Sequence, residues 1–539
     1  MRYNLWEMVG KAGECVLRPP ETRAAREARR PIVKGVFFMH VLFVRPNAGF
    51  YVHFAAQPSL GLLALASFLQ SKGHTVRIFD HELEHGLMET VAAFKPDAVA
   101  VTLFSDASIP DAMEISRALK ALGLPVFWGG HMASAIPELV ARSGFVDYVG
   151  ISEGEYTLLE LLEVAEGKRA PETVLGIAYV DKNGEYRRTA DRPFADLSDF
   201  PPLDYSLVPV ERFNYKLPFA NRISPMMASK GCPFSCTYCF NSEYHRCQRR
   251  VYPQEVVFQQ VQTLATRHGF DGFLFVDEIF GTDKQELRSF CQGIKDLHLA
   301  VTWGTETTIG MLTRADLEIM HDAGCRWLQF GLESGCAEMR KKIHKFYDAS
   351  KIDETFRNCR EIGIMTQGQF IIALPDETPE QVRETVRLCF RTQPDMFSLA
   401  FFVPIPGTQL CRELEAAGKL TLPKTLEDRV GSAMERQLLR QNFSFIPDKG
   451  LQVIQKCFHW WLVFRKKRRI PGVKRSSFLE IGLENLLVNL RRTGLCGLAR
   501  NLWESGKLFC SVAWYAHAYP SIRKKYDLYA KNFGRTNWD

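Results

Sequence analysis

Three cysteines, Cys232, Cys236 and Cys239, stand as Cys-x3-Cys-x2-Cys in the stretch Lys230-Gly-Cys-Pro-Phe-Ser-Cys-Thr-Tyr-Cys-Phe240. Three thiolates on one short loop can hold three irons of a cubane 4Fe-4S cluster and leave the fourth iron open to a small molecule. Most iron–sulfur proteins supply four cysteines, so a set of three points to a cluster that binds something rather than one that only passes electrons. Two other readings stand beside it. Zinc normally takes four ligands, and Cys247, eight residues after Cys239, could complete that set. Three thiols can also be plain core packing.

Such a loop needs a scaffold, and the chain is long enough for several. Its 539 residues suggest two to four domains. A hydrophobic content of 46% and a charged content of 24% are ordinary for a globular protein. Fourteen cysteines without regular pairing argue against a disulfide framework and for a reducing cytoplasm. A net charge of +7 is modest for this length and does not by itself indicate nucleic acid. No apolar window is long enough to span a bilayer. Residues 1–36 are polar and Arg-rich with no signal-peptide core. They read as a disordered arm, or as a start-site artefact ahead of Met39.

From 37 to 170 short apolar runs alternate with helical patterns. Strands are expected at His40–Val44, Thr75–Phe79, Ala98–Leu103, Val126–Trp128 and Tyr148–Gly150. Helices are expected at Leu60–Lys72, Glu84–Phe94, Pro110–Leu122, Ala133–Ser143 and Glu155–Gly167. This alternation predicts an α/β, doubly wound, Rossmann-like sheet. Ligands of such sheets bind beyond the carboxyl ends of the strands. That brings together three loops, Phe104–Ser108, Gly129–Ser134 and Gly150–Glu155. Glycines there allow close backbone approach to a ligand; the loops can equally be tight turns capped by Ser134 and Ser152.

Residues 171–205 read as a linker, with a strand pair around Asp181-Lys-Asn-Gly184 and an extended Asp196–Tyr205 connector. From 206 to 420 the alternation resumes. Strands are expected at Pro225–Ser229, Gly272–Val276, Thr302–Thr305, Trp327–Gly331, Thr366–Ile372 and Phe397–Phe402. Six of them suggest an incomplete parallel barrel, whose chemistry belongs at the strands' carboxyl ends. The three cysteines fall just after the first strand. Residues 421–539 read as a helical C-terminal region. There Phe458-His-Trp-Trp-Leu-Val-Phe464 runs into Arg465-Lys-Lys-Arg-Arg469. That run fits a helix packed on the barrel, an anionic membrane surface, or a lid over an apolar substrate.

The cysteine motif and its surroundings resemble the radical SAM enzymes, and residues about 37–410 resemble the branch that carries a cobalamin-binding domain. The resemblance implies that the open iron chelates S-adenosylmethionine (SAM) and that its cleavage yields a 5′-deoxyadenosyl radical. It places Tyr238 against the adenine. Asp277 and Glu278, at the end of the second strand, would bind the SAM amino group or a substrate hydroxyl; helix capping is the alternative. Gly331-Leu-Glu-Ser-Gly335 looks like the family's Gly-x-Glu-Ser-Gly element, putting Glu333 and Ser334 on the methionine end or ribose of SAM. Ala373 and Asp376 replace the glycines of the usual Gly-x-Pro-Gly-Glu-Thr, and Pro404-Ile-Pro-Gly-Thr408 matches the family's end-of-barrel turn. Thr308 stands where the family often has an arginine.

In the first domain, Gly129-Gly-His131, Pro137-Glu138 and Gly150-x-x-Glu-Gly-Glu155 look like the cobalamin-binding pattern. Carried over, it puts Ser105, Gly129, Gly130, His131, Ser134, Gly150, Glu153 and Gly154 at the corrin. The cobalt-ligating Asp-x-His-x-x-Gly loop is not matched: His81 and His85 read as surface residues and His131 lies in another loop. Cobalt without a protein imidazole is therefore expected. The resemblance implies a cobalamin-dependent enzyme that C-methylates an unactivated carbon of a small-molecule or lipid-like substrate. The alternatives are oxidative cyclisation, as in the anaerobic magnesium-protoporphyrin monomethyl ester cyclases, and a non-catalytic cobalamin or redox sensor. An external electron donor such as flavodoxin or ferredoxin, no nucleic acid and a monomeric state are expected.

Overall fold

The computed structural model describes residues 32–33, 36–48, 57–213, 215–434, 441–448, 450–451 and 454. The expected arm before residue 32 and the helical region from 455, with its aromatic and basic run, lie outside the described residues.

Seven strands form the first sheet: β1 (His40–Arg45), β2 (Thr75–Asp80), β3 (Ala98–Thr102), β4 (Val126–Gly129), β5 (Tyr148–Gly150), β6 (Ile177–Val180) and β7 (Tyr186–Arg188). Their order is β2-β1-β3-β4-β5-β6-β7. The first five are parallel, and β6 and β7 join antiparallel. The four middle residues of β1 and the first four of β3 are buried, as both-face coverage by helices requires of a parallel sheet. The turn at Asp181–Gly184 thus joins two strands that extend this sheet. The helix expected over 133–143 is two, His131–Ala135 and Pro137–Ala141. Pro137 lacks the N–H to continue a helix and disfavours helical backbone at Ile136. The helix expected from Glu84 starts at Leu87, after Gly86 at φ 82°.

The connector packs back on this domain. Asp196 and Asp204 cap short 3-10 turns, and the Asp204 N–H donates to Ser67 Oγ at 2.8 Å.

The second sheet holds β8 (Tyr215–Leu217), β9 (Ala220–Met226), β10 (Gly272–Phe275), β11 (Thr302–Thr307), β12 (Cys325–Glu333), β13 (Met365–Ile372) and β14 (Met396–Phe401), paired in that order. β9 to β14 are six parallel strands in sequence order. They curl into a half-barrel that stays open between β9 and β14. Its helices start on strong signals. Asp283 accepts from the Gln285 and Glu286 N–H groups, and Thr313 and Thr378 form capping boxes. Leu287, Phe290, Cys291 and Ile294 then line the buried face of one helix. Each large apolar side chain buried this way contributes about 1.5–3 kcal/mol.

Candidate active site

The cysteine loop follows β9 directly. Cys236 is buried and Cys232 and Cys239 are half-buried. Burial raises all three thiols, Cys232 and Cys239 to about 11. Backbone N–H groups work the other way, that of Phe234 on Cys232 and that of Asn241 on Cys239, as does the charge of Lys345. Bare thiols here hold their protons at neutral pH, and a cationic iron site would take them as thiolates. Cys247 lies against the same loop, its thiol donating to the carbonyls of Phe234 at 3.6 Å and Ser242 at 3.9 Å. Among the described residues no three His, Cys, Asp or Glu side chains are grouped to share a single metal ion.

The two acids after β10 face the chain. Asp277 is fully buried and accepts from the Ala228 N–H at 3.1 Å and the Ser229 hydroxyl at 2.5 Å. Burial pushes its carboxyl up to about 7. Glu278 accepts from the Gly231 N–H at 2.9 Å and lies 3.2 Å from His245 Nε2. Burial opposes its charge, but the His245 bond and charge hold it below the ordinary range. Both carboxylates therefore fix the backbone that leads into Cys232.

Glu333 ends β12, buried, with Lys345 Nζ 3.2 Å from its Oε1. A Cβ at Gly331 would stand 2.6 Å from Glu333 Oε1 and 2.7 Å from Lys345 Nζ, so glycine leaves the room this pair occupies. Tyr238 lies beside Glu333 and Cys236; burial first, and then their charges, raise its phenol well above the ordinary range. Glu306 and Gln329 are register partners on β11 and β12. Burial, and then the charges of Glu333 and Glu278, push Glu306 up to about 7. Ser334 is fully buried, its hydroxyl 3.2 Å from Thr385 Oγ1 and accepting from the Cys336 N–H. Thr308 is buried.

The carboxyl ends of the two sheets meet. Tyr244, five residues past Cys239, stacks on His131 with centroids 4.1 Å apart and planes 13° apart. Its hydroxyl donates to the Ser152 carbonyl at 2.6 Å, and the Ser152 hydroxyl donates back to the Tyr244 carbonyl at 2.9 Å. Ser134 Oγ accepts from the Ser152 N–H at 3.0 Å. Lys230 meets Glu155 at 2.9 Å, and Arg250 meets Glu153. Burial alone would neutralise Lys230 and Glu155; their mutual attraction overrides it and keeps both charged. Arg429 grips Asp106 with two bonds of 2.7 and 2.8 Å. This ties the helix Leu426–Met434 to the loop after β3.

The glycine loops show what a ligand could use. Gly130 sits at φ 98°, and a Cβ there would lie 3.0 Å from the Leu103 carbonyl. Beside Gly129 and Gly150 the nearest such contacts are only 4.0 and 3.8 Å, and at Gly154 the Leu65 side chain closes in at 3.1 Å. Burial and nearby His245 lower His131 to about 4, so it is neutral. His81 Nδ1 is engaged by Asp111 at 2.8 Å. Ser105 precedes the turn Asp106–Ser108. A separate small pocket opens at the ends of β1 and β2, lined by Arg45, Asp80, Val208 and Phe213 among others.

Two family models match on these two halves: the B12 binding domain over residues 55–162 and the radical SAM superfamily over residues 226–389. The chain thus carries a B12-binding domain followed by a radical SAM domain. An uncharacterized methyltransferase of Pyrococcus horikoshii is 28% identical over 66% of this chain and 77% of its own. The anaerobic magnesium-protoporphyrin IX monomethyl ester cyclase of Rubrivivax gelatinosus is 26% identical over 70% of each chain. The fold is shared with the radical SAM methyltransferase TsrM of Kitasatospora setae, solved with cobalamin and a 4Fe-4S cluster. That likeness has a TM-score of 0.59 at 18% identity, over 72% of this chain and 80% of that one. This B12-binding radical SAM enzyme uses a 4Fe-4S cluster, SAM and cobalamin. Its donor set fits the cluster: three thiols on one loop, two of them met by backbone N–H groups, beside a buried lysine. The bare glycine strand ends fit a flat ligand.

Lys345, Glu306, Gln329, Tyr244 and His245 were not singled out from the sequence. Lys345 lies in an ordinary basic stretch, Arg340-Lys-Lys-Ile-His-Lys345, and only Gly331 opposite marks it. Glu306 is signalled by a charge alternating with buried Thr305 and Thr307 in a strand.

Proposed function

We propose that the enzyme is a cobalamin-dependent radical SAM methyltransferase that methylates a carbon of a small-molecule substrate. The supporting observation is the direct apposition of the two ligand faces, with Tyr244 of the cysteine segment seated on His131 and Ser152. When bound, the cluster supplies the electron that cleaves SAM, and cobalamin supplies the methyl group.

The chain's own residues do the placing. Cys232, Cys236 and Cys239 hold the cluster. Asp277 and Glu278 act as positioning residues, fixing the turn into that loop through Ala228, Ser229 and Gly231. Tyr238, Glu333 and Lys345 form the polar wall beside it, with Ser334 behind them holding the helix that starts at Ala337. Glu333 and Lys345 offer one acceptor and one donor of opposite charge, which suits the zwitterionic methionine end of SAM. Ser105, Gly129, Gly130, His131, Ser134, Gly150, Glu153 and Gly154 surround the proposed corrin site; His131 is covered by Tyr244 and Glu153 is paired with Arg250, which leaves the ends of β4 and β5 at Gly129 and Gly150 for contact. The substrate would lie between the two cofactors, where closure of the site excludes water. An external one-electron donor of flavodoxin or ferredoxin type reduces the cluster. No helix among the described residues is long and apolar enough to cross a membrane.

The similarity to the cyclase keeps a ring-forming outcome as the second reading. Anaerobic enzyme loaded with iron, sulfide and cobalamin, given cell extract and methyl-labelled SAM, should place label in an extract molecule and release 5′-deoxyadenosine. Deoxyadenosine with no label transferred would favour the cyclase reading.

A further inference from the structure

The register of the half-barrel strands sorts their inward side chains into layers. On β12, Leu328, Phe330 and Leu332 join the core under the helices, and Phe330 meets Phe356 of the helix Ile352–Ile362 with ring centres 5.3 Å apart. Alternation turns Trp327, Gln329 and Gly331 to the inside. Trp327 and its register partner Met365 pack with Leu217, Phe219 and Ile223 into an apolar floor, which the turn from β8 into β9 closes from below. The next layer toward the carboxyl ends holds Glu306, Gln329 and Gln367. Above it come Gly331, Gln369 and Ser398.

Two features of this interior call for a hydrogen-bonding guest. The indole N–H of Trp327 is buried without a partner, and a buried donor left so is costly. The half-buried amides of Gln367 and Gln369 have no side-chain partner among the described residues. No lysine or arginine stands in these layers, and Lys345 at the mouth is paired with Glu333. Amides without a free cation reward hydroxyl and amide groups but offer no counter-charge to a phosphate or carboxylate. A hydrocarbon-rich guest would strand them unpaired.

From this layering we infer that the substrate is an uncharged, water-soluble molecule bearing hydroxyl or amide groups, and that its polar end reaches from between the cofactors into the glutamine layer. This rests on the methyl-transfer reading and narrows it, and the test separates the two.

The holoenzyme is given trideuteromethyl-SAM and an extract of its own cells, divided beforehand between water and chloroform–methanol. Mass spectrometry then finds products carrying the labelled methyl group, SAM and its own breakdown products set aside. The water fraction should yield such a product. Gln367→Leu and Gln369→Leu keep the side chain's bulk and remove its amide. Each should lower formation of that product about tenfold, the loss of one buried hydrogen bond, while cluster content, cobalamin content and substrate-free SAM cleavage stay as in wild type. Labelled product from the chloroform fraction alone would overturn the inference. So would unchanged product formation in both variants, or a loss of SAM cleavage to match, which would assign the glutamines to SAM. No labelled product from either fraction would instead overturn the methyl-transfer reading itself.

Discussion

Ala373 and Asp376 sit at φ 62° and 60°, in the left-handed region that costs an ordinary residue about 1–2 kcal/mol. These are the two places where the related barrel element usually has glycine, so the backbone shape is kept without the residue that suits it. Asp376 is offset by ion pairs to Lys342 at 2.9 Å and Lys419 at 2.8 Å. Ala373, buried and apolar, gains no such pair. Ala373→Gly should therefore stabilise the chain by about 0.5–1 kcal/mol, after the extra unfolded-state entropy of glycine is subtracted. Denaturant melts measure it, and a loss of stability would contradict it. The same turn contains Glu377, fully buried, with Oε2 accepting from the Leu374 N–H at 3.1 Å and Oε1 unpartnered. Burial pushes this carboxyl up to about 7 from an ordinary 4.5. Between those values the folded chain keeps a proton that the unfolded chain has lost. The group's contribution to stability is then present at low pH, declines as pH rises toward 7, and stays lost above it. Glu377→Gln should remove that decline, so the variant gains on wild type from pH 5 to pH 8, by on the order of 1 kcal/mol. Parallel pH profiles would show that Glu377 titrates normally.

At the scale of elements, most of the two sheets was legible. All five strands expected in the first domain and all six in the second occur within a few residues of their reading, because buried parallel strands are short apolar runs between turn signals. Two things were not. The Asp181–Gly184 hairpin read correctly as a strand pair, yet nothing local says that it pairs with β5. The segment Asn241–Arg250 reads as an unremarkable polar stretch, and only the folded chain shows it lying against the first domain. The grouping of Cys232, Cys236 and Cys239 was legible because one loop holds them all. Glu306, Gln329 and Lys345 were not, because they converge from two strands and a loop far apart in sequence. Tyr244 carries the segment's role most clearly. Tyr244→Phe should lose about 1 kcal/mol with the bond to Ser152. Tyr244→Ala should also speed hydrogen exchange at residues 129–134 and 150–154 while the barrel strands stay protected. Unchanged exchange in those loops would mean that the contact does not hold the domains together.

At the scale of the molecule, the seam is more ionic than apolar where the strand ends meet. Lys230 with Glu155, Arg250 with Glu153, and His245 between Glu278 and Glu153 cross or flank it. Buried pairs of this kind add little net stability, but they tolerate only one register, since an unpaired member is costly. Phe194 reinforces that register, with the Arg246 and Arg250 guanidiniums 3.9 and 4.3 Å from its ring centre. The orientation matters because each sheet presents its ligand at its carboxyl end. A seam of this geometry sets the cysteine loop on one side and the glycine loops of the first sheet on the other, the arrangement the proposed function needs if one chain is to carry both cofactors.

That claim is tested most directly by cofactor content and SAM cleavage in the same anaerobic preparation, across wild type, Cys236→Ala and Cys247→Ala. The account predicts one 4Fe-4S cluster and one cobalamin per wild-type chain, with 5′-deoxyadenosine formed under a strong reductant. Cys236→Ala should lose the cluster's absorption and SAM cleavage but keep its cobalamin, and Cys247→Ala should match wild type. Full SAM cleavage by Cys236→Ala, or equal loss in Cys247→Ala, would contradict a three-cysteine cluster held apart from the cobalamin site.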